Sequence, residues 1–375
     1  MQKEGIMMTK TLTKAPYRAD IVGSFLRPAR LHDAREKFAA GTISAEDLRA
    51  IENEEIRHLV DKQIEAGLEA VTDGEFRRRF WHTDFMEHLN GVEGYIPEHG
   101  YIFHGMETEK YNVRNTGKIS FHPDHPFIRD FQTFKEIVGG RAVTKQTIPS
   151  PNQFFHSDIP NREIYPEIED YAKDIIQAYR DAIQAFYNAG CRYLQLDDVY
   201  LAFLSCADDE VVEKIGYSRE YLIDLALRVV NEVLEGKPED LTITTHLCRG
   251  NYQSTWAYAG PYDTIAPKIF ANEKVDGFFL EYDDERSGGF EPLKYIPEGG
   301  PKVALGIFTS KKGELEDKEL IKKRIQEASR YVPLEQLCIS TQCGFSSTHH
   351  GNLLTEEQQW EKVKYIVDTA KEIWG

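Results

Sequence analysis

Residues 189–197 read Ala-Gly-Cys-Arg-Tyr-Leu-Gln-Leu-Asp, and this short stretch decides the fold class. It follows a long stretch, 163–187, whose apolar residues recur at helical spacing, so Gly190 is predicted to end a helix in a left-handed turn. A short apolar strand then closes on an acid. Residues 66–73, Ala-Gly-Leu-Glu-Ala-Val-Thr-Asp, repeat this order. Helices alternating with such strands predict an α/β fold with a parallel sheet.

The alternation continues along the chain and gives eight candidate strands. Eight such units favour a closed (β/α)8 barrel, the TIM barrel, over an open sheet. We expect a polar N-terminal arm over residues 1–15 and a single barrel domain over 16–375, with an insertion after the second strand at about 76–140. The predicted strands are residues 20–24, 70–73, 142–148, 193–197, 241–246, 277–281, 303–307 and 337–341.

Two helix starts carry clear capping signals. Ser44 precedes an amphipathic stretch that runs to residue 66, and acidic residues occupy its first turn. Thr355 and Gln358 have the spacing of a capping box at the start of the last helix.

Composition excludes several classes of function. With 45 basic and 62 acidic residues, the net charge is −17, so nucleic acid is not an expected partner, because phosphate repels such a surface. The sequence contains no run of 18 apolar residues, so no membrane span is predicted. The first 14 residues lack the apolar core of a secretory signal. Five cysteines in 375 residues indicate a reducing, cytoplasmic location, where clustered cysteines serve as metal ligands or catalytic groups.

Four residues at three predicted strand ends have side chains that bind metals. His246 and Cys248 are two residues apart and therefore share one side of an extended segment. Glu281 ends the sixth strand, and Cys343 follows the eighth. In a barrel these ends lie at the same rim, and the two thiolates favour zinc over magnesium or calcium. The sequence therefore predicts a zinc site, with a net charge of about −1, that would ionise a bound thiol.

A second group of polar residues is predicted at the same rim. Ser24 follows the first strand, Glu75 the second, and Asp197 with Asp198 end the fourth. Carboxylates beside a metal would hold an amino group, and Ser24 or nearby backbone N–H groups would hold a carboxylate. This combination describes an amino acid that carries a thiol.

These pieces together resemble the catalytic C-terminal barrel of cobalamin-independent methionine synthases, and more closely the short, single-barrel group of Gram-positive bacteria. The resemblance extends from about residue 20 to the C-terminus. The matching motifs are Ile-Val-Gly-Ser-Phe at 21–25, Asp-Gly-Glu at 73–75, Leu-Gln-Leu-Asp-Asp at 194–198, Thr-His-Leu-Cys at 245–248, Glu281, and Gln-Cys-Gly-Phe at 342–345.

The resemblance implies a function and a role for each residue. His246, Cys248, Glu281 and Cys343 correspond to zinc ligands, whereas Ser24, Glu75 and Asp197 fall where the family binds the backbone of homocysteine. The family transfers a methyl group from N5-methyltetrahydrofolate polyglutamate to homocysteine, giving methionine. Glu281, the ligand expected to leave the metal most easily, and Asp197 are the predicted catalytic residues. The expected partners are thus homocysteine and a methyl donor, with a homodimer as the candidate assembly.

Three departures from the family leave the methyl donor open. The segment 307–312, Ile-Phe-Thr-Ser-Lys-Lys, lacks the family's catalytic histidine, and 148–151, Ile-Pro-Ser-Pro, replaces a tryptophan near the pterin. The family's second, N-terminal barrel is also not part of this chain. A methylcorrinoid donor, a zinc-dependent hydrolase and a non-catalytic zinc-binding relative are the alternatives. The candidates for the proton donor to the leaving group are His82, His156, His349 and His350, or an acid.

Overall fold

The computed structural model describes residues 14–375, so the predicted arm at 1–15 lies outside it except for its last two residues. The helices in this part are α1 (Ala29–Ala39), α2 (Ala45–Glu65), α3 (Thr83–Met86), α4 (Pro126–Val138), α5 (Ile168–Asn188), α6 (Tyr200–Cys206), α7 (Asp209–Glu213), α8 (Arg219–Leu234), α9 (Ile269–Asn272), α10 (Lys318–Ala328) and α11 (Glu356–Trp374). The strands are β1 (Ala70–Val71), β2 (Asn90–Tyr95), β3 (Ile102–Phe103), β4 (Met106–Glu107), β5 (Asn112–Ser120), β6 (Val143–Pro149), β7 (Tyr193–Asp198), β8 (Thr242–Leu247), β9 (Gly277–Glu281), β10 (Lys302–Phe308) and β11 (Leu337–Thr341).

Seven strands form one curled parallel sheet in the order β1-β6-β7-β8-β9-β10-β11. Strands that follow one another in this order pair in parallel, and helices occupy most of the connections between them. Each strand of the sheet overlaps one of the predicted segments, so the α/β class and the parallel sheet are confirmed. Five of the seven are almost entirely buried, which explains why they read as apolar runs in the sequence.

The first predicted strand, residues 20–24, is not a regular strand. Ala19 makes an isolated parallel bridge to Ile339 of β11, and Ser24 makes another to Gly74 after β1. Between these bridges, side chains take the backbone carbonyls that a strand would use. Gln195 Nε2 donates to the carbonyl of Val22 at 2.8 Å, and those of Ile21 and Gly23 accept from Lys145 and Thr72. The segment therefore lies between the two edges of the sheet, held largely by side chains.

A buried ion pair fixes this segment inside the sheet. Lys145 Nζ of β6 lies 3.3 Å from Asp20 Oδ1, and both side chains are 0% exposed. The other carboxylate oxygen of Asp20 accepts from the hydroxyl of Tyr193 at 2.8 Å. The ammonium also lies 4.1 Å from the ring centroid of Phe279. Both charges are thus compensated within the interior, as buried charges require.

Residues 72–142, which connect β1 to β6, form a connection that is longer than a single helix. They form α3, then the antiparallel pair β2–β5, which encloses the short hairpin β3–β4, and finally α4. The segment between β6 and α5 contains a single 3-10 helix, Pro151–Phe155. No helix within residues 14–375 has the length and apolar character needed to cross a lipid bilayer.

Both predicted helix caps are present. Ser44 accepts from the backbone N–H of Asp47 at the start of α2, and Thr355 accepts from that of Gln358 at the start of α11. The side chain of Gln358 returns the contact by accepting from the N–H of Thr355 at 2.9 Å. The buried face of α11 includes Val363 and packs on the sheet.

We expect Thr355→Ala to lower the free energy of unfolding by about 1 kcal/mol, because the backbone N–H of Gln358 loses its acceptor, the hydroxyl of Thr355. Urea denaturation at constant m-value measures the change. Glu357→Ala is the control and should change the free energy of unfolding little, because Glu357 lies in the same helical turn but makes no capping contact. Equal midpoints for Thr355→Ala and wild type would contradict this prediction.

Candidate metal centre and adjoining cavity

The carboxyl ends of neighbouring strands bring the predicted ligands to one edge of the sheet. In the register of β7 and β8, Asp197 lies opposite His246, and Glu281 of β9 lies opposite Gly306 of β10. Cys343 comes two residues after the end of β11. Because these strands run parallel, their ends lie at the same rim.

Three of the four predicted ligands contact one another. The donor atoms of His246, Cys248 and Cys343 all lie within 4.8 Å of one another, and all three residues are buried. The two sulfur atoms are 3.0 Å apart, and the backbone N–H of Gly250 donates to Cys248 Sγ at 3.3 Å. Two thiols and one imidazole at such distances form a donor set that suits zinc.

The carboxylate of Glu281 lies beside this cluster and divides its two oxygens between different partners. Oε2 is 3.8 Å from Cys343 Sγ and accepts from the backbone N–H of Arg249 at 3.1 Å. Oε1 faces two cations, Arg286 at 3.4 Å and Lys311 at 3.5 Å. The fourth predicted ligand is thus adjacent to the cysteines, and its far side is neutralised by positive charge.

The electrostatics of the three donor residues fit a cation. Hydrogen bonding from Cys343 lowers the pKa of Cys248, whereas burial and the charge of Cys248 raise the pKa of Cys343 well above its usual range. Although burial opposes it, the hydrogen bond to Asp197 and the charge of Cys248 raise the pKa of His246 to about 9. Two thiols therefore compete for one negative charge, and a bound divalent cation would allow both to ionise.

Asp197 contacts the predicted ligand His246 directly. Its Oδ1 lies 2.9 Å from His246 Nδ1 and also accepts from Gln195 Nε2 at 2.8 Å. A carboxylate that hydrogen-bonds a ligand histidine is a common feature of zinc sites, where it fixes the orientation of the ring. The sequence had suggested contacts to substrate for Asp197 but not this one.

Asp198 needs a correction, because it does not line the cavity described below. Its carboxylate accepts from Asn152 Nδ2 at 2.9 Å and from the backbone N–H of Leu201 at 2.8 Å. Successive side chains of a strand point to opposite faces, so Asp197 and Asp198 cannot both face the same site. Asp198 instead fixes the start of the segment after β7 and the loop that carries Asn152.

Glu75 lies at the rim in a strained backbone conformation, with φ at +60°. Oε1 accepts from Thr147 at 2.8 Å and lies 3.3 Å from Arg78, but Oε2 is buried with no hydrogen-bond partner among residues 14–375. Burial raises the pKa of this carboxyl group. A strained residue with an unsatisfied buried oxygen is typical of a binding site.

Ser24 lies next to the loop that carries Cys343. Its hydroxyl accepts from the backbone N–H of Ser346 at 3.3 Å. A Cβ atom placed on Gly344 would lie 1.9 Å from Ser24 Oγ, so only glycine permits this close approach. The first and last parts of the described chain therefore meet at the site.

A cavity of about 490 Å³ joins these residues. Its floor includes Ser24, Glu75, Asp197, His246 and Cys248. Its outer wall is largely aromatic and comes from several loops and the β3–β4 hairpin: Phe80, Trp81, Tyr101, Phe103, Tyr111, Phe203, Tyr252 and Tyr258. Such a polar floor below an apolar wall is typical of a small-molecule site.

The four candidate histidines separate into two pairs. His82 and His156 line the cavity, whereas His349 and His350 lie beside Glu109, which lines its rim. Burial lowers the pKa of His82 to about 3, that of His349 and His350 to about 4, and that of His156 as well. All four are therefore uncharged near pH 7.

Sequence reasoning missed the two cations at Glu281. Lys311 had been noted only because a histidine is absent from its segment, and Arg286 was not singled out. A lysine shortly after a fully apolar strand was the one available signal, since such a residue needs a carboxylate partner if it is buried.

The chain is similar to several known proteins. The family model described as the catalytic domain of cobalamin-independent synthase matches residues 18–104 and 145–372. The uncharacterized protein YxjH of Bacillus subtilis is 50% identical over 98% of this chain and 97% of its own. The methionine synthase of Saccharolobus solfataricus is 24% identical over 94% of this chain and 93% of its own.

Two solved structures are also similar. One from Listeria monocytogenes, provisionally assigned as a vitamin-B12-independent methionine synthase, has a TM-score of 0.79 and 46% identity and covers 96% of this chain and 99% of its own. The B12-independent methionine synthase from Shewanella sp. W3-18-1, in complex with selenomethionine, has a TM-score of 0.72 and 19% identity and covers 95% and 97%. The second likeness concerns the fold alone.

Proposed function

Because the chain belongs to the family of cobalamin-independent synthase catalytic domains, we propose that it is a zinc-dependent methyltransferase that methylates homocysteine to methionine. The observation that carries this proposal is the meeting of His246, Cys248 and Cys343 beside Glu281, with His246 and Cys248 at the floor of the cavity. Thiolate ligands suit a metal that must keep the sulfur of a bound substrate nucleophilic, and they are a poorer choice for activating water.

A zinc ion held by these four residues would supply the positive charge that keeps the substrate thiol ionised at neutral pH. Asp197 would hold the ring of His246 in place through the contact at 2.9 Å. Lys311 and Arg286 would stabilise the carboxylate of Glu281 on the side away from the cysteines. Glu281 is thus the proposed ligand that also has partners of opposite charge within the protein.

The remaining floor residues fit the backbone of an amino acid. The unpaired Oε2 of Glu75 and the second oxygen of Asp197 would accept hydrogen bonds from the amino group. Ser24 would hold the carboxylate from the opposite side of the cavity. The selenomethionine bound by the Shewanella relative is the selenium analogue of the expected product.

We assign 5-methyltetrahydrofolate, in its polyglutamate form, as the methyl donor. The aromatic wall supports a flat ring system, and Trp81, stacked on His82 with centroids 4.4 Å apart, offers an indole near the cavity despite the replacement at 148–151. The leaving nitrogen requires a proton, and among the four candidate histidines only His82 and His156 line the cavity. Because burial leaves both uncharged near pH 7, these two can relay a proton but not supply it, and an acid is the candidate source.

The proposal includes a closed (β/α)8 barrel within one catalytic domain over residues 16–375. Its support is the segment 19–24, which bridges β11 on one side and the end of β1 on the other and so occupies the place of an eighth strand. Residues 76–140 would then be an insertion after the second strand, with α4 as the helix that returns to the sheet.

We expect Asp197→Asn to weaken zinc binding by about 10–100-fold, as is typical when the partner of a ligand histidine is lost. Competition with a chromophoric chelator measures the affinity. Asp240→Asn, at an exposed carboxylate, is the matched control and should leave it unchanged. An unaltered zinc affinity in Asp197→Asn would show that this residue serves the substrate only.

The donor is tested with zinc-loaded protein, homocysteine and either 5-methyltetrahydrofolate triglutamate or methylcobalamin, with methionine as the readout. The proposal expects turnover with the folate. Turnover with methylcobalamin alone would show that the methyl donor is a corrinoid and not the folate. Binding of zinc and homocysteine without turnover from either donor would indicate a non-catalytic relative.

A further inference from the structure

A second group of metal-binding side chains lies at the rim of the cavity, apart from the cysteine site. His349 Nε2 is 2.8 Å from Glu109 Oε2, and His350 Nε2 is 3.6 Å from the same oxygen. The three ligand atoms lie within 4.8 Å of one another. We infer that Glu109, His349 and His350 bind a second divalent transition-metal ion of the zinc class.

The distances agree with this chemistry. Two nitrogen or oxygen ligands at about 2.0–2.1 Å from a tetrahedral zinc are separated by about 3.3 Å, and the two observed separations fall on either side of that value. Two histidines and one glutamate are also an accepted zinc set, and such three-residue sites keep a fourth position open. Only small side-chain movements would bring all three atoms onto one ion.

The surroundings orient the three side chains. The backbone N–H of His349 donates to the carbonyl of Arg79 at 2.8 Å, and Thr348 forms an antiparallel bridge with Phe80. Thr348 Oγ1 lies 3.3 Å from His350 Nδ1, so it can fix the tautomer that leaves Nε2 free for a metal. The hydroxyl of Tyr252 accepts from the backbone N–H of Glu109 at 3.2 Å and so helps to hold this residue at the rim.

The local charge predicts which kind of fourth ligand would complete the second metal site. Arg79 pairs with the other oxygen of Glu109, so the protein offers no surplus negative charge to the ion. A bound divalent cation would therefore favour an anionic fourth ligand. Glu109 and Thr348 line the cavity, so this position is accessible to a carboxylate of a molecule bound there.

The three residues of this site differ in whether the family model covers them. It lies in the segment 105–144, which the family model does not match, whereas both histidines lie inside the matched range. The second site thus takes one of its three ligands from a segment that the family model does not match. It does not depend on the zinc site proposed for thiol activation.

Titration of metal-free protein with Co²⁺ tests the inference, with bound equivalents measured by dialysis and elemental analysis. Wild type should bind two equivalents, and Glu109→Gln and His350→Ala should each bind one. His99→Ala, at a histidine that is 73% exposed, is the control and should bind two. The near-ultraviolet bands of cobalt–sulfur bonds should persist in all of these variants, because the cysteines are unchanged.

The same titration distinguishes failure of this inference from failure of the proposed function. A single equivalent in wild type, with cobalt–sulfur bands present, would refute the second site alone. Two equivalents in both Glu109→Gln and His350→Ala would refute it as well. Cobalt binding without sulfur bands in wild type would instead refute the cysteine site, and Cys343→Ala should then resemble wild type.

Discussion

Cys343→Ala is expected to lose tightly bound zinc and with it nearly all methyl transfer. Cys343 Sγ lies 3.0 Å from Cys248 Sγ and 3.8 Å from Glu281, so its removal takes away a ligand from the middle of the proposed set. Loss of an outer partner alone costs about 10–100-fold in metal affinity, and loss of a direct ligand should exceed that. A free thiol with a pKa of about 8.5 is about 3% ionised at pH 7, so the rate should fall by at least about 30-fold.

Elemental analysis after dialysis measures the zinc, and methionine formation measures the rate. Cys338→Ala is the matched control, because Cys338 is another buried cysteine of β11 and lies near Pro16, away from the cluster. It should keep one equivalent of zinc at the cysteine site. Full zinc retention and an unchanged rate in Cys343→Ala would remove the basis of the proposed function.

The second large effect is on stability, and it concerns Lys145. Lys145→Met should lower the free energy of unfolding by about 3–5 kcal/mol, because it leaves the carboxylate of Asp20 buried without its cation. The methionine side chain fills similar space, so the loss reports charge rather than volume. Denaturant unfolding followed by circular dichroism measures it.

A second substitution separates the charge effect from packing. Asp20→Asn in the Lys145→Met background removes the uncompensated charge and should recover part of the lost stability. Lys37→Met, which breaks the exposed pair with Asp33, is the control and should cost less than about 1 kcal/mol. A loss below about 1 kcal/mol for Lys145→Met would contradict the role given to this ion pair.

The fold was largely predictable because the alternation of helix and strand is a local pattern. Residues 193–197 and 277–281 are short, mainly apolar segments that end in acids, and both are strands of the sheet. The segment 20–24, which contains Ile21 and Val22, was predicted as a strand from the same alternation. Its carbonyls are instead taken by side chains such as Gln195, which are more than 100 residues away along the chain. Local periodicity cannot reveal such long-range contacts.

The site was predictable only as far as strand ends define a rim. His246, Cys248 and Cys343 could be brought together by assuming parallel strands, because such strands end on one side. The pairing of Lys311 with Glu281 and of Asp197 with His246 depends on side-chain rotamers across different strands. Glu109 reaches the rim through antiparallel hairpins, which leave no signal in a pattern of parallel strands.

The distribution of the proposed ligands along the chain has a consequence for how a metal would be loaded. His246 and Cys248 leave the ribosome almost one hundred residues before Cys343, and the strand before Cys343 pairs with the segment at Ala19. A nascent chain that ends just short of Cys343 carries His246, Cys248 and Glu281 but lacks the second thiol. Metal loading at this site is therefore expected only after residue 343 has been synthesised and the strand before it has paired with the segment at Ala19.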